Sequence, residues 1–569
     1  MPKRWAWLTL IPLLLFATWY RGHTFGPTLR DAYGINAWPA CIGETEPLDC
    51  DEAIYAYIGH RMLRGDVMYR DLTENKPPLG YWLYAAAVAV GGYEELAIRV
   101  MPLVPVLATI VLVWWIAAAI RGAGTGVLAG LLSILLSTDP YLYGNGANME
   151  HFMNLFGVAS LACFLLAWKK EGVLWFGLGG VFLGAEMLVK QVAVTHVLFY
   201  AVALAFREFG RREEKSEILL STGEHWRKML RDGLAIGLGA AAVCGLAALV
   251  LILQGAGPAA YEDIFRYGPA LATDTLPEPN APSPLIRWLT GNADPKGELP
   301  WPFGRTDYLV WWGTGSWPIW LAAFPAMAML GFRRETTASR RIVAGWTVSA
   351  MLQIVLPGLY WAHYYLLPVP GLALVLAICC GDLLAAIRDL WPIRAVRQGR
   401  MQLLAVSLAL FLVAISTTVV LQVRDYLNVP PEQLTIRYKG GRQWVVLRRM
   451  GRDLARRGAS IWDDPQLVLW GWQSPLYFYS RFDNVTPHVF TDNLLRDQAG
   501  RNHPLIEPRT RAIVSAIEEH KPPLVFVAYP PYPELSAILR RDYLPSGIMS
   551  GLWIRQDSYG RFETFGNTP

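Results

Sequence analysis

Charge is scarce in this sequence. Asp, Glu, Lys and Arg make up 17% of its 569 residues, against about a quarter in a soluble domain. Cysteine is scarce too. There are six, and Cys163, Cys244, Cys379 and Cys380 lie inside apolar runs, which excludes a disulfide-built scaffold. Cys41 and Cys50 flank a short loop and could pair only if that loop is extracytoplasmic, so this pairing stays open. The nine histidines are scattered, with no His-Glu-x-x-His or Cys-x-x-Cys spacing, so no metal signature exists. The Gly-x-x-x-x-Gly-Lys loop that cradles nucleotide phosphates is missing, which removes support for an ATP-driven pump. There is no internal repeat and no low-complexity tract. Basic residues come in small groups at the ends of apolar runs rather than on one face, so nucleic acid is not an expected partner.

What is plentiful is apolar sequence. Hydrophobic residues make up 53%, and runs near 20 residues, the length that crosses a bilayer as a helix, recur along the first three quarters. The 24 Trp and 25 Tyr suit aromatic belts at both membrane interfaces. Lys3 and Arg4 precede the first run, 5–20, and no small-residue cleavage site follows it. It reads as a retained helix with a cytoplasmic N-terminus. Further spans are expected at about 97–120, 124–138, 152–168, 173–189, 192–206, 234–253, 309–332 and 342–356, then one ending near 387, and one at 403–422. Helical spacing of Ile54, Tyr57, Ile58 and Met62 predicts an amphipathic helix lying on the surface over 51–63. The Pro77-Pro78 pair opens a second such piece, 79–90. With this count, the basic groups after spans two, four, six, eight and ten all fall inside, as the positive-inside rule requires. The Asp51 loop, the Glu150 loop, the 255–308 loop, the His363 segment and the C-terminus then share the outer face.

From about Tyr426 the character changes. Buried strands are expected at 466–470 and 523–527, and helices at 511–520 and 534–541. The fold class is thus an α-helical multi-pass membrane protein, with about eleven transmembrane helices plus outer-face amphipathic helices, and a small C-terminal extracytoplasmic α/β domain. The expected division is a transmembrane catalytic domain over 1–423 and the α/β domain over 424–569. The expected location is the cell (plasma or inner) membrane.

Several polar groups on the outer face have both a plain and a chemical reading. Asp51-Glu52 reads plainly as a helix N-cap and an acidic first turn. Chemically, it is a carboxylate base beside a tuning partner. Lys76 is either a snorkelling lysine before a Pro-initiated helix or a phosphate ligand. Arg61 carries the same ambiguity. Glu150-His151 opens a span and can face the cleft that Asp51 faces. His363-Tyr364-Tyr365 is an aromatic interfacial belt or a set of donors for phosphate or sugar. Lys190 sits in an outer turn, and Glu186 lies within the membrane, where charge is a functional hint.

One combination weights these readings. Asp51, Glu52, Tyr55, Ile58, Met62 and Leu63, followed by Lys76, Pro77, Pro78, Leu79, Tyr81, Trp82 and Leu83, resemble the membrane glycosyltransferases that use polyprenyl-phosphate sugars (GT-C fold), near the aminoarabinose transferases and protein O-mannosyltransferases. Glu95, Arg99 and Pro102 resemble that family's entry to its second span, and His363, Tyr364, Leu367 and Pro368 its later His-Tyr motif. The resemblance covers about 5–422. It implies a polyprenyl-phosphate-linked sugar donor, a lipid, glycan or protein acceptor, and membrane lipids as surroundings. It implies Asp51 as base with Glu52 beside it, and inversion at the anomeric carbon. Lys76 would neutralise the departing phosphate, helped by Arg61, His363, Tyr364, Tyr365 and Lys190. Glu150, His151 and Tyr55 would line the cleft. No cofactor is assigned, and a divalent cation stays open. Ile54 stands where the aminoarabinose transferases commonly carry Arg, and Asn75 where they often carry Glu, so sugar and acceptor are not named. The competing class is a transporter or flippase of lipid-linked saccharides, which should show polar, broken helices at the midplane in two related halves.

Overall fold

The computed structural model describes residues 4–25, 45–170, 172–210, 222–268, 314–332, 336–357, 360–390, 394–491, 494 and 504–565. Cys41, most of the 255–308 loop, and Arg333 and Arg334 lie outside them. The chain forms two compact units, neither continuous in sequence. The first draws on Met1–Glu44, Arg99–Ala247 and Asn292–Leu434; the second on Thr45–Ile98, Ala248–Gly291 and Thr435–Pro569. Of the expected C-terminal domain, 424–569, residues Thr435–Pro569 group with Thr45–Ile98 and Ala248–Gly291.

The first unit is helical. Among the described residues of the whole chain, five helices are long and apolar enough to cross a membrane: Glu95–Arg121, Glu150–Lys170, Glu224–Leu253, Ala362–Asp389 and Met401–Leu427. Shorter apolar helices accompany them, including Ala123–Ser137, Val173–Val189 and Trp317–Phe332. This is a membrane protein. The first expected span is a 3-10 turn, Arg4–Thr9, running into a 13-residue helix, Leu10–Gly22. The core gathers around helix Val369–Leu390, whose residues 372–380 are all buried, so it is apolar on every side. Small residues let neighbouring helices close up. A Cβ on Gly180 would lie 2.0 Å from the Ile236 carbonyl oxygen, and one on Gly239 2.1 Å from that of Gly177. Backbone contact through small residues is how helices associate where no hydrophobic effect drives them.

The second unit holds a four-stranded sheet of order β1-β2-β4-β3, with β1 Leu467–Trp470, β2 Leu524–Val527, β3 Tyr543–Pro545 and β4 Leu552–Arg555. β1 and β2 are parallel, with Leu467 opposite Leu524. The other pairings are antiparallel. Helices Glu507–His520 and Pro533–Asp542 bury Ile513, Ile517, Leu535 and Leu539 in the same core as Val468 and Val525. Helix Cys50–Leu63 belongs to this unit. It packs on Leu79–Gly91, where a Cβ on Gly59 would meet the Ala85 nitrogen at 2.7 Å, and on Pro475–Ser480.

Candidate functional site

The start of helix Cys50–Leu63 divides its carboxylates by role. The N-cap is Asp49, not Asp51 as expected. Asp49 accepts from the Glu52 N–H at 2.9 Å, and its own N–H donates to Glu52 at 3.1 Å, a complete capping box. Burial, then the Glu52 and Asp51 charges, push the Asp49 carboxyl well up. Glu52 is buried and committed to the cap, so the structure gives it a structural post rather than an open one. Asp51, in the first turn, is only half-buried. The helix entry is pinned from outside: Tyr479 OH receives the Leu48 N–H at 2.9 Å, and Ser474 donates to the Cys50 carbonyl at 2.6 Å.

Lys76 stands in the same unit. Its Nζ is 3.6 Å from Glu74 and 5.2 Å over the Tyr55 ring. Tyr55 itself is buried, edge-on to Tyr81 and Tyr84 at 5.6 and 5.4 Å. It is a platform under the lysine. The Tyr81 hydroxyl lies within electrostatic reach of both Glu74 and Asp51, which brings the acid and the lysine to one neighbourhood. Arg61 is turned elsewhere: it pairs with Asp66, donates to Tyr57 OH at 2.8 Å and to the Asn484 carbonyl at 3.2 Å. Its fork is occupied by protein, and it fastens the far end of the helix. Tyr57, pushed up to about 12 chiefly by burial, stays a neutral phenol.

A second group lies in the helical unit. Lys190, in extended backbone just after helix Val173–Val189, forms a buried ion pair with Glu150, the first residue of helix Glu150–Lys170. Its Nζ is 4.8 Å over the Tyr364 ring. His363 Nε2 approaches Glu150 to 3.9 Å and its ring meets Tyr364 edge-on at 4.8 Å. The 3-10 turn Ala362–Leu366 is tied to helix Glu150–Lys170 because Asn154 donates to the Leu366 carbonyl at 2.8 Å. Glu150, Lys190, His363 and Tyr364 are therefore together. His151 and Tyr365 are not with them. His151 is a buried strut between Arg21, at 3.2 Å, and the Gly144 carbonyl, at 2.8 Å. Tyr365 is core, 5.9 Å from Trp320. One turn before Lys190, Glu186 bonds His196 at 2.9 Å and Gln353 at 3.2 Å.

Sequence reasoning passed over Thr73, Glu74, Asp263, His488 and Arg509. Asp263 meets Arg509 at 2.6 Å, and burial pushes its carboxyl up to about 6. The only signal in the sequence was Glu74, two residues before Lys76; the others come together through tertiary contact. Among the described residues no group of three His, Cys, Asp or Glu is arranged to hold a metal ion.

Residues 75–223 match the family model described as dolichyl-phosphate-mannose-protein mannosyltransferase. That stretch begins beside Lys76 and leaves out Asp51. No curated protein matches the sequence. Among solved structures, ArnT from Cupriavidus metallidurans in the apo state is similar at 14% identity, covering 94% of each chain with a TM-score of 0.53. The same protein bound to undecaprenyl phosphate matches at 14% identity, 84% of this chain and 85% of that one, with a TM-score of 0.50. The Archaeoglobus fulgidus oligosaccharyltransferase in the apo form matches at 12% identity, 92% of this chain and 69% of that one, with a TM-score of 0.54. At such identities the likeness is one of fold, and it extends over both units. The chain therefore has the GT-C fold of membrane glycosyltransferases, and its residues 75–223 carry the pattern of the dolichyl-phosphate-mannose-protein mannosyltransferase family.

Proposed function

We propose that this protein transfers a sugar from a polyprenyl-phosphate donor to an acceptor hydroxyl on a lipid, glycan or protein, with inversion, at the outer face of a cell membrane. The observation that carries it is the presence within one unit of a half-buried Asp51 at a helix start and of Lys76, whose partner Glu74 acts with Asp51 on the Tyr81 hydroxyl. Asp51 takes the proton of the acceptor hydroxyl as its oxygen bonds to the anomeric carbon. The bond from that carbon to the phosphate oxygen breaks, and the electron pair leaves with the polyprenyl phosphate. Lys76 meets the charge that grows there, which lowers the barrier directly. Tyr55 holds Lys76 from below. Arg61 positions the helix rather than the phosphate. In the helical unit, Lys190, His363 and Tyr364 are assigned to an anionic headgroup on their chemistry: a buried cation and a ring nitrogen that share one carboxylate, Glu150. The bound undecaprenyl phosphate of the ArnT structure and the dolichol-phosphate of an archaeal oligosaccharyltransferase complex support the donor class.

The test is transfer from a polyprenyl-phosphate sugar by purified protein, comparing wild type with Asp51→Asn. Loss of a positioned base should lower the rate by roughly 10²–10⁴-fold, with the melting temperature kept. A folded Asp51→Asn protein that transfers at the wild-type rate removes the base assignment.

A further inference from the structure

Helix Gln443–Ile461 of the second unit carries five arginines and one acid, Asp453, and Arg442 stands at its N-cap. Its arginines divide between two faces. Arg448 is buried and donates to the Thr45 carbonyl at 2.6 Å. Arg457 is half-buried, pairs with Asp453 at 2.8 Å and donates to the Phe562 carbonyl at 2.7 Å. These two fasten the helix to its unit. Arg442, Arg449, Arg452 and Arg456 are exposed. Arg442, Arg449 and Arg456 are seven residues apart in turn. On an α-helix they fall nearly in one line, about 21 Å long, with Arg452 beside it. Val446, 56% exposed, lies in the same row.

Two features say what this row meets. The first is sign. A solvated helix face usually mixes acids and bases three or four residues apart. Here the helix supplies Asp453 alone, shared between Arg456 at 3.1 Å and Arg457. The second is depth. Glu95 is the first residue of the membrane-crossing helix Glu95–Arg121, and that helix begins within the second unit. Arg448 reaches Glu95 at 3.3 Å and Arg452 reaches it at 3.5 Å. The adjoining Glu94 is held by Arg481 at 2.9 Å. The arginine helix is thus fastened to the very end of a membrane span, the level at which headgroups lie.

We infer that the row Arg442, Arg449, Arg452 and Arg456 docks on anionic phospholipid headgroups of the leaflet where Glu95–Arg121 begins. A guanidinium offers phosphate paired N–H donors in a fixed fork and keeps its charge at any working pH. Val446 adds a small apolar contact among them, as on helices that lie at a membrane interface. The contact anchors the unit that carries Asp51 and Lys76 to the bilayer surface, whether or not a donor lipid is bound.

The full-length protein is reconstituted in nanodiscs of phosphatidylcholine mixed with phosphatidylglycerol. Each sample is doped with a photoreactive-headgroup analogue of one of the two lipids, and labelling of 442–461 is read by peptide mass spectrometry. The phosphatidylglycerol analogue should label this segment at least roughly fivefold more than the phosphatidylcholine analogue at equal content. A variant combining Arg442→Gln, Arg449→Gln and Arg456→Gln should lose that preference with its melting temperature kept, since the three side chains are exposed. Lysine at the same three positions should retain it. If the triple variant unfolds, Arg449→Gln alone should lower the phosphatidylglycerol labelling by roughly fivefold. Equal labelling by the two analogues in wild type, or a preference that survives the glutamine substitutions, overturns the inference. So does a wild type without lipid preference whose arginine row binds heparin in detergent, which assigns the face to a soluble polyanion.

Discussion

Three carboxylates within four residues, Asp49, Asp51 and Glu52, show how neighbours of one chemistry are set apart. Two close a capping box and carry helix stability; the third is left half-buried at the helix start. The sequence made the acidic run visible but not the division, because the cap depends on where the helix begins, and the N-cap falls at Asp49, two residues before Asp51. Lys76 was legible as a lysine before a Pro-initiated helix. Its supports, Glu74 and the Tyr55 ring, were not, since a buried acid in a loop looks like a solvated one until the fold closes over it. His488 carries a pH dependence. A histidine held at about 3 against an ordinary 6.5 binds fewer protons folded than unfolded, so its contribution is intact above pH 6.5 and is lost as pH falls toward 3. At pH 5, about 1.5 units below the ordinary value, the loss is roughly 2 kcal/mol. Asp263, raised to about 6 by burial, works the other way, taking up its proton natively below pH 6. Comparing melting temperatures of wild type and His488→Gln at pH 7.5 and pH 5 isolates the histidine: the variant should lose less on acidification.

At the level of elements, apolar runs located the helices of the membrane unit well. Strands expected at 466–470 and 523–527 are found at Leu467–Trp470 and Leu524–Val527, because a short apolar run between polar turns has few alternatives. β3 and β4 were not foreseen. They are short, one ends in a proline, and they become strands only by pairing with each other and with β2. The glycines of the membrane helices were unremarked in sequence, yet contact decides them. Gly180→Ala would drive a methyl group to 2.0 Å from the Ile236 oxygen and force the helices apart, a cost of about 1–3 kcal/mol. Gly237→Ala, on the same partner helix but with nothing within 4 Å, should be harmless or mildly stabilising through helix propensity. Thermal unfolding of the two variants in one detergent separates these outcomes.

Across the whole molecule, composition established the class, a membrane protein with little charge, and two linked motifs pointed to the GT-C fold that the structural comparisons bear out. The grouping into units was beyond sequence reading. Residues 45–98 join a body built mostly from the last quarter of the chain, through contacts such as Arg61 with Asn484 and Thr73 with His488, more than 400 residues apart in sequence. No local pattern encodes such partners.

The enclosed stretch 372–380 of helix Val369–Leu390 has one more consequence. The helix is hydrophobic enough to enter a bilayer by itself, yet residues 372–380 meet only protein once the unit has assembled. Helices Glu224–Leu253 and Met401–Leu427 are the reverse, with only 17% of their apolar windows buried. A photoactivatable lipid should therefore tag Leu234, Leu238, Leu410 and Val420 and pass over Leu372–Cys380, as read by peptide mass spectrometry. The same contrast sets an order of assembly. The central helix must shed its lipid while its neighbours gather, so a chain cut before residue 394 should leave part of that helix open to the bilayer, and the probe would then find it.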